Sequence, residues 1–129
     1  MSDIERFGSG GPYEELIAYS RVVRAGGLFL TAGCTSVLDG ELTHPGDPYQ
    51  QAMTAFGTGV AALERAGCPR ASIIATRMYI TDRAHADDVG RAHHDTFTDV
   101  RPTTAMIVVA GFLDARMLVE VELTGWSAR

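Results

Sequence analysis

The chain has 129 residues, 46% of them hydrophobic and 21% charged, the composition of one ordinary globular domain. A formal charge of -5 leaves no basic footprint for a nucleic-acid backbone, and no apolar run reaches the roughly 18 residues that a membrane span needs. All 11 basic residues are arginine, so a lysine Schiff base with a carbonyl substrate or pyridoxal phosphate is excluded, as is a P-loop lysine.

The opening Met1-Ser-Asp-Ile-Glu lacks the positive flank and apolar stretch of a signal peptide. Cys34 and Cys68 are too few for a disulfide scaffold or a four-cysteine zinc site. Reduced thiols and a cytoplasmic location are therefore expected. Ile4 to Phe7 is a short apolar piece, followed by a Gly-Ser-Gly-Gly-Pro turn. Ser20 to Ala25 and Leu28 to Ala32 flank Gly26-Gly27, a two-residue hairpin signal. A polar loop with Asp39-Gly40 and His44 to Pro48 comes next.

The period then changes. Met53, Phe56, Val60 and Leu63 fall at spacings of three, four and three, one face of a helix. Asp47-Pro48 supplies its N-cap and first-turn proline, and Gly67 ends it. Ser72 to Thr81 reads as a strand. Asp82 is placed to cap a second helix through Phe97, with Val89, Ala92 or His93, and Phe97 facing inward. Thr103 to Ala110 and Met117 to Trp126 read as closing strands. The order β-β-β-α-β-α-β-β over residues 1–129 predicts a single α+β domain, a mixed β-sheet with two helices on one face. Neither Gly8-Ser9-Gly10-Gly11 nor Gly57-Thr58-Gly59 follows a strand as a dinucleotide fingerprint does, so no cofactor is expected.

Ala105 to Phe112 is apolar on both alternate faces, the mark of a strand covered on both sides. Two helices cover one face of the sheet only. Another copy of the chain is therefore expected on the other.

Four stretches in order carry a family resemblance over nearly the whole chain. Ala18 to Gly33 (AYSRVVRAGGLFLTAG) resembles the opening hairpin of the RidA/YjgF family, and Thr76 to Asp82 (TRMYITD) the strand before its second helix. Arg101 to Val109 (RPTTAMIVV) resembles its proline-led signature strand, and Val119 to Glu122 (VEVE) its closing Val-Glu-Ile-Glu. Type members hydrolyse reactive enamines and imines to ketoacids and ammonia. The resemblance implies a chorismate-mutase-like fold assembled as a trimeric barrel, with clefts between neighbouring subunits.

It also implies a site, with one departure. In the deaminating members an arginine two residues after the proline pairs with the substrate carboxylate; here that position is Thr104. Removing one partner of a desolvated Arg–carboxylate pair costs about 2–5 kcal/mol, and threonine cannot replace a planar two-pronged cation. An altered substrate follows. Glu120 is retained, to position or deprotonate a water. The alternative is that Glu120 and Glu122, sharing one strand face, merely pair with Arg77. Tyr19 matches the family tyrosine near the cleft, as a ligand hydrogen-bonding group or an interface aromatic with a wet tip. Gly33 and Cys34 match the turn that offers backbone groups to the ligand. A nucleophilic Cys34 is not expected, because no histidine lies near it in sequence.

Arg77 sits in an otherwise apolar strand, on one face with Tyr79, and needs a partner. An ion pair with Glu120 is expected; an anionic ligand is the alternative. Arg101 is a second candidate anion binder at the cleft rim. His93 belongs to the inward helix stripe, as a core or a cleft-lining histidine. Its neighbour His94 diverges from it by about 100° around a helix, so no metal site is expected. Gly90 stands where type members often carry a polar amide and Met106 where many have cysteine, so the cleft becomes more apolar. Two functions remain open: a catalyst acting on an imine, enamine or related carbonyl through Glu120 and Tyr19, or a non-catalytic small-molecule binder using the intersubunit cleft. A ribonuclease role runs against the acidic charge.

Overall fold

The computed structural model describes residues 3–128; Arg129 lies outside them, as do Met1 and Ser2, which begin the stretch read above for a leader. Strands β1 (Ile4–Phe7), β2 (Val22–Ala25) and β3 (Leu28–Thr31) form an antiparallel ribbon. Gly26, at φ 60°, makes the tight turn between β2 and β3 that the glycine pair predicts.

Two small elements appear where loops were expected. Helix α1 (Pro12–Ile17) follows the glycine-rich turn. It forms because the Glu14 carboxylate reaches back to accept from the N–H groups of Ser9 at 2.9 Å and Gly11 at 3.4 Å, which satisfies donors at the helix start. Strands β4 (Val37–Leu38) and β5 (Glu41–Leu42) close a second hairpin. Its turn is Asp39-Gly40, at φ 52° and 79°, the left-handed pair that an Asp-Gly turn favours.

Helix α2 (Pro48–Ala66) starts and stops as its caps predict: the Asp47 side chain accepts from Gln50 N–H at 3.0 Å, and Gly67 ends it at φ 106°. Its buried line differs from the expected stripe. Phe56 and Leu63 are buried, but Ala52, Ala55 and Gly59 lie inside while Met53 and Val60 only flank the core. Small residues let the helix approach closely; a Cβ on Gly59 would fall 2.7 Å from Leu123 Cδ1.

Strand β6 (Ile73–Ile80) leads to helix α3 (Ala86–Phe97), then strands β7 (Thr103–Val108) and β8 (Val119–Trp126). Asp82 caps a single 3₁₀ turn, Arg83–His85, rather than α3 itself, accepting from Ala84 N–H at 2.8 Å. Val89, Ala92 and Phe97 are buried as expected. The main sheet runs β1-β2-β3-β8-β6-β7, antiparallel except for the β6–β7 pair joined through α3. It is the expected mixed α+β architecture.

One sheet face carries the core: Val22, Phe29, Met78, Ile80, Val119, Val121 and Leu123 are buried there with α2 and α3 residues. The opposite face is uncovered and presents Leu28, Leu30 and Trp126 to solvent beside Glu120, Glu122, Arg77 and Tyr79. Strand β7 is the sheet's edge, with Ala105 and Val108 exposed in the single chain. Among the described residues no helix is long and apolar enough to cross a membrane.

Candidate functional site

Strand alternation sorts the site residues first. In β8, Val119, Val121 and Leu123 enter the core, so Glu120 and Glu122 point to the uncovered face. Pairing with β6 sets Tyr79 opposite Glu120 and Arg77 opposite Glu122. The Tyr79 hydroxyl donates to the Glu122 carboxylate. The expected Arg77–Glu120 ion pair is not present: Arg77 is exposed and makes no ion pair among the described residues. The register sets Arg77 opposite Glu122, two residues along β8 from Glu120, and Tyr79 takes the carboxylate that Arg77 does face.

Glu120 lies against the turn after β3. A Cβ on Gly33 would fall 2.7 Å from Glu120 Oε2, so a glycine is what allows the carboxylate to sit there. Arg21 gathers the remaining groups. Its Nη1 donates to the Gly33 carbonyl at 2.7 Å and its Nη2 to the Tyr19 hydroxyl at 3.3 Å. Tyr19, Gly33 and Glu120 thus lie around an arginine that the motifs do not single out. The signal for it was present. Tyr19 and Arg21 are two residues apart just before β2, and in extended chain such residues share a side.

Burial pushes the Glu120 carboxyl above its ordinary range, repulsion from Glu122 adds to this, and Arg21 opposes both. A carboxyl so placed exchanges a proton closer to neutral pH, as a general base requires. Cys34 belongs to the core instead of the ligand-facing turn. Its side chain is buried, its N–H donates to the Val121 carbonyl at 2.8 Å, and its own carbonyl accepts from Val121 N–H at 2.9 Å. Burial pushes its thiol up, which makes it a poor nucleophile.

A second group of candidates sits on the other side of the sheet. The parallel register aligns Thr104 with Thr76 and Met106 with Met78, on the helix-covered face. Thr76 donates to the Thr104 hydroxyl at 2.7 Å and lies 2.8 Å from His93 Nε2. With its proton given to Thr104, Thr76 accepts from Nε2–H, which leaves the His93 Nδ1 lone pair as an acceptor. The His93 ring packs against Phe56 and Phe97, with centroids 5.5 Å and 4.9 Å away, and burial pushes its pKa down. It is both a satisfied core histidine and a wall of a cleft of about 370 Å³ that also includes Gly90, Phe97, Arg101 and Pro102.

Arg101 holds φ 58°, a left-handed backbone whose N–H closes the end of α3 on the Phe97 carbonyl at 2.9 Å. Glycine is usual at such a position. The Arg101 side chain is exposed at the cleft mouth. Gly90 faces Met106; a Cβ on it would come 3.9 Å from Met106 Cε. Within one chain, therefore, Thr104, Met106, His93 and Arg101 are separated by the sheet from Glu120, Tyr19 and Gly33. A hollow of about 410 Å³ at Arg24, Phe29 and Gly67 contains none of the candidates. Among the described residues no group of three His, Cys, Asp or Glu is placed to hold a metal ion.

The family described as Endoribonuclease L-PSP matches residues 13–126. The uncharacterized protein SCO2049 of Streptomyces coelicolor is 42% identical over 123 residues, 95% of this chain and 92% of that one. Rv2704 of Mycobacterium tuberculosis, a member of the highly conserved YjgF/YER057c/UK114 family, superposes with a TM-score of 0.87 at 32% identity, covering 96% of this chain and 99% of that one. The Rid family protein YyfA of Yersinia pestis shares the fold, with a TM-score of 0.80 at 22% identity over 92% of this chain and 90% of that one.

Proposed function

The chain belongs to the Endoribonuclease L-PSP family, the YjgF/Rid proteins, and from that premise we propose that it is a small-molecule hydrolase acting on a reactive imine, enamine or related carbonyl compound. The observation that carries this reading is the Glu120 carboxylate, part-buried on an uncovered sheet face, seated on Gly33 beside Tyr19 and Arg21. Glu120 takes a proton from water as the water oxygen bonds to the C=N carbon, and the C=N electron pair moves to nitrogen. Tyr19 donates a hydrogen bond to the substrate heteroatom. Glu120 returns the proton to nitrogen to give the carbinolamine, then takes the new hydroxyl proton and passes it to the same nitrogen as the C–N bond breaks, and a carbonyl compound and ammonia or an amine leave.

The substrate pocket needs a second copy. The edge of one subunit, bearing His93, Arg101, Thr104 and Met106, docks on the open face of its neighbour, which supplies Tyr19, Gly33 and Glu120. Three copies arranged in a ring complete three such clefts, and Cys34 supports the turn from behind. Leu28, Leu30 and Trp126 exposed on that face fit burial in a homotrimer. With Thr104 hydrogen-bonded to Thr76, the pocket favours a substrate that is neutral at this point, or one whose carboxylate meets Arg101 or Arg77 instead. Buried, reduced cysteines fit a cytoplasmic setting, and no cofactor, membrane or nucleic acid is required.

Thr104 favours one other reading, a non-catalytic small-molecule sensor using the same cleft. Freshly generated 2-imino acids and neutral enamines, offered side by side, separate the two. Turnover of the neutral compounds is expected, and Glu120→Gln abolishes it while leaving the oligomer intact. Wild-type turnover in that variant contradicts the hydrolase reading, and saturable binding without product selects the sensor. RNA cleavage by this lysine-free, acidic chain, free of contaminating nuclease, would instead support the activity in the family's description.

A further inference from the structure

Arg21 spans the Glu120 site with both of its terminal nitrogens engaged. Beyond its bonds to the Gly33 carbonyl and the Tyr19 hydroxyl, the guanidinium carbon lies 5.6 Å from the centre of the Tyr19 ring. Its Nε is 3.9 Å from Glu14 Oε2, and the side chain is 16% exposed. Glu14 is itself fixed, accepting from the Ser9 hydroxyl and from Ser9 N–H. The counter-ion is thus tethered to the loop before α1, and the arginine is held from behind as well as from the front.

We propose that Arg21 is the positioning residue of this site, turning Tyr19 into a hydrogen-bond donor toward the ligand and holding Gly33 and the Glu120 carboxylate in one arrangement. A hydroxyl that accepts from a guanidinium keeps its own proton to give elsewhere. The proton that Tyr19 keeps suits a ligand acceptor there, a carbonyl oxygen or an imine nitrogen. An arginine whose Nη1 and Nη2 already serve Gly33 and Tyr19 has fewer donors left to offer a substrate carboxylate. It is therefore a poor replacement for the cation missing at Thr104, which leaves the exposed Arg77 to meet any charged group on this face. The identity of that atom rests on the hydrolase reading; the positioning role does not.

The second part of the role is electrostatic. Glu120 has Glu122 along its own strand, Tyr79 opposite on β6 with Arg77 two residues further along, Arg21 before β2, and Cys34 after β3. Of these, Arg21 is the cation that opposes the rise in Glu120 proton affinity caused by burial and Glu122. A cation next to a carboxyl lowers its pKa because it favours the charged form.

Carbon-13 NMR titration of labelled glutamate carboxyls in the intact oligomer measures this without any substrate. Arg21→Gln moves the Glu120 midpoint upward, and Arg21→Lys returns it toward the wild-type value. Coincident midpoints in wild type and Arg21→Gln overturn the proposal. Should Arg21→Gln not fold, the wild-type protein decides. The Arg21 Nε resonance follows the Glu120 titration and loses that step in Glu120→Gln, whereas a resonance indifferent to Glu120 overturns the proposal. A protein that turns over no substrate but shows these shifts removes the hydrolase reading and leaves the role of Arg21 standing.

Discussion

Glu120 and His93 respond to burial with opposite pKa shifts and the same preference, since each favours its uncharged form. For Glu120 this raises the pH at which the carboxylate appears, useful for taking a proton from water. For His93 it keeps the imidazole neutral between Thr76 and the Phe56 and Phe97 rings. The His93 pKa is lower in the folded chain than in the unfolded one, so the unfolded state binds the proton first as pH falls. The stability tied to neutral His93 is complete above about pH 6.5 and drains away as pH drops through the folded value. His93→Gln keeps an N–H for Thr76 but cannot titrate. Thermal melts between pH 7.5 and pH 5, taken here as about the histidine range, should show a shallower loss of melting temperature in His93→Gln than in wild type. Equal slopes in the two proteins remove His93 as the titrating group.

Elements governed by nearby chemistry are legible along the chain. Asp47-Pro48 and Gly67 bracket α2, and the Gly26-Gly27 pair turns β2 into β3. Helix α1 was not legible because it depends on Glu14 reaching back over the glycine-rich turn. The site shows the same division. Alternation places Arg77 and Tyr79 on one face, but only long-range register puts Glu122 rather than Glu120 opposite Arg77. Register and sheet order also part Thr104 from Glu120, which no local pattern reports.

Close approach at the β8–β6 pairing is equally non-local. A Cβ on Gly125 would run into the buried Cys68 Sγ and fall 3.2 Å from the Ser72 carbonyl oxygen. Gly125→Ala should therefore destabilise the fold by about 1–3 kcal/mol through overpacking. Cys68→Ala in the same chain should recover part of that loss, since the two sites share one space. Denaturant melts of the single and double variants measure it, and strictly additive effects would mean that the thiol is not the obstacle.

At the scale of the whole molecule, the chain is a sheet with one finished face and one unfinished one. The finished face holds the core and, at its β7 edge, Thr104, Met106, His93 and Arg101. The unfinished face holds Glu120, Tyr19 and Gly33. Family membership accounts for the fold; the proposed shared cleft would join these two groups across a neighbouring copy. A cleft drawing one group from each of two copies is a property of the assembly, so it should survive when the two groups come from different mutant chains.

Co-refolding two inactive variants in equal amounts tests this most directly. Glu120→Gln spoils one half of the cleft, and Thr104→Trp obstructs the other. Clefts that join the good half of each variant should restore about one quarter of wild-type turnover, the share expected when each half is drawn at random from neighbouring copies. Mixed oligomers that remain as inactive as either parent would place both halves within one chain and contradict the shared cleft.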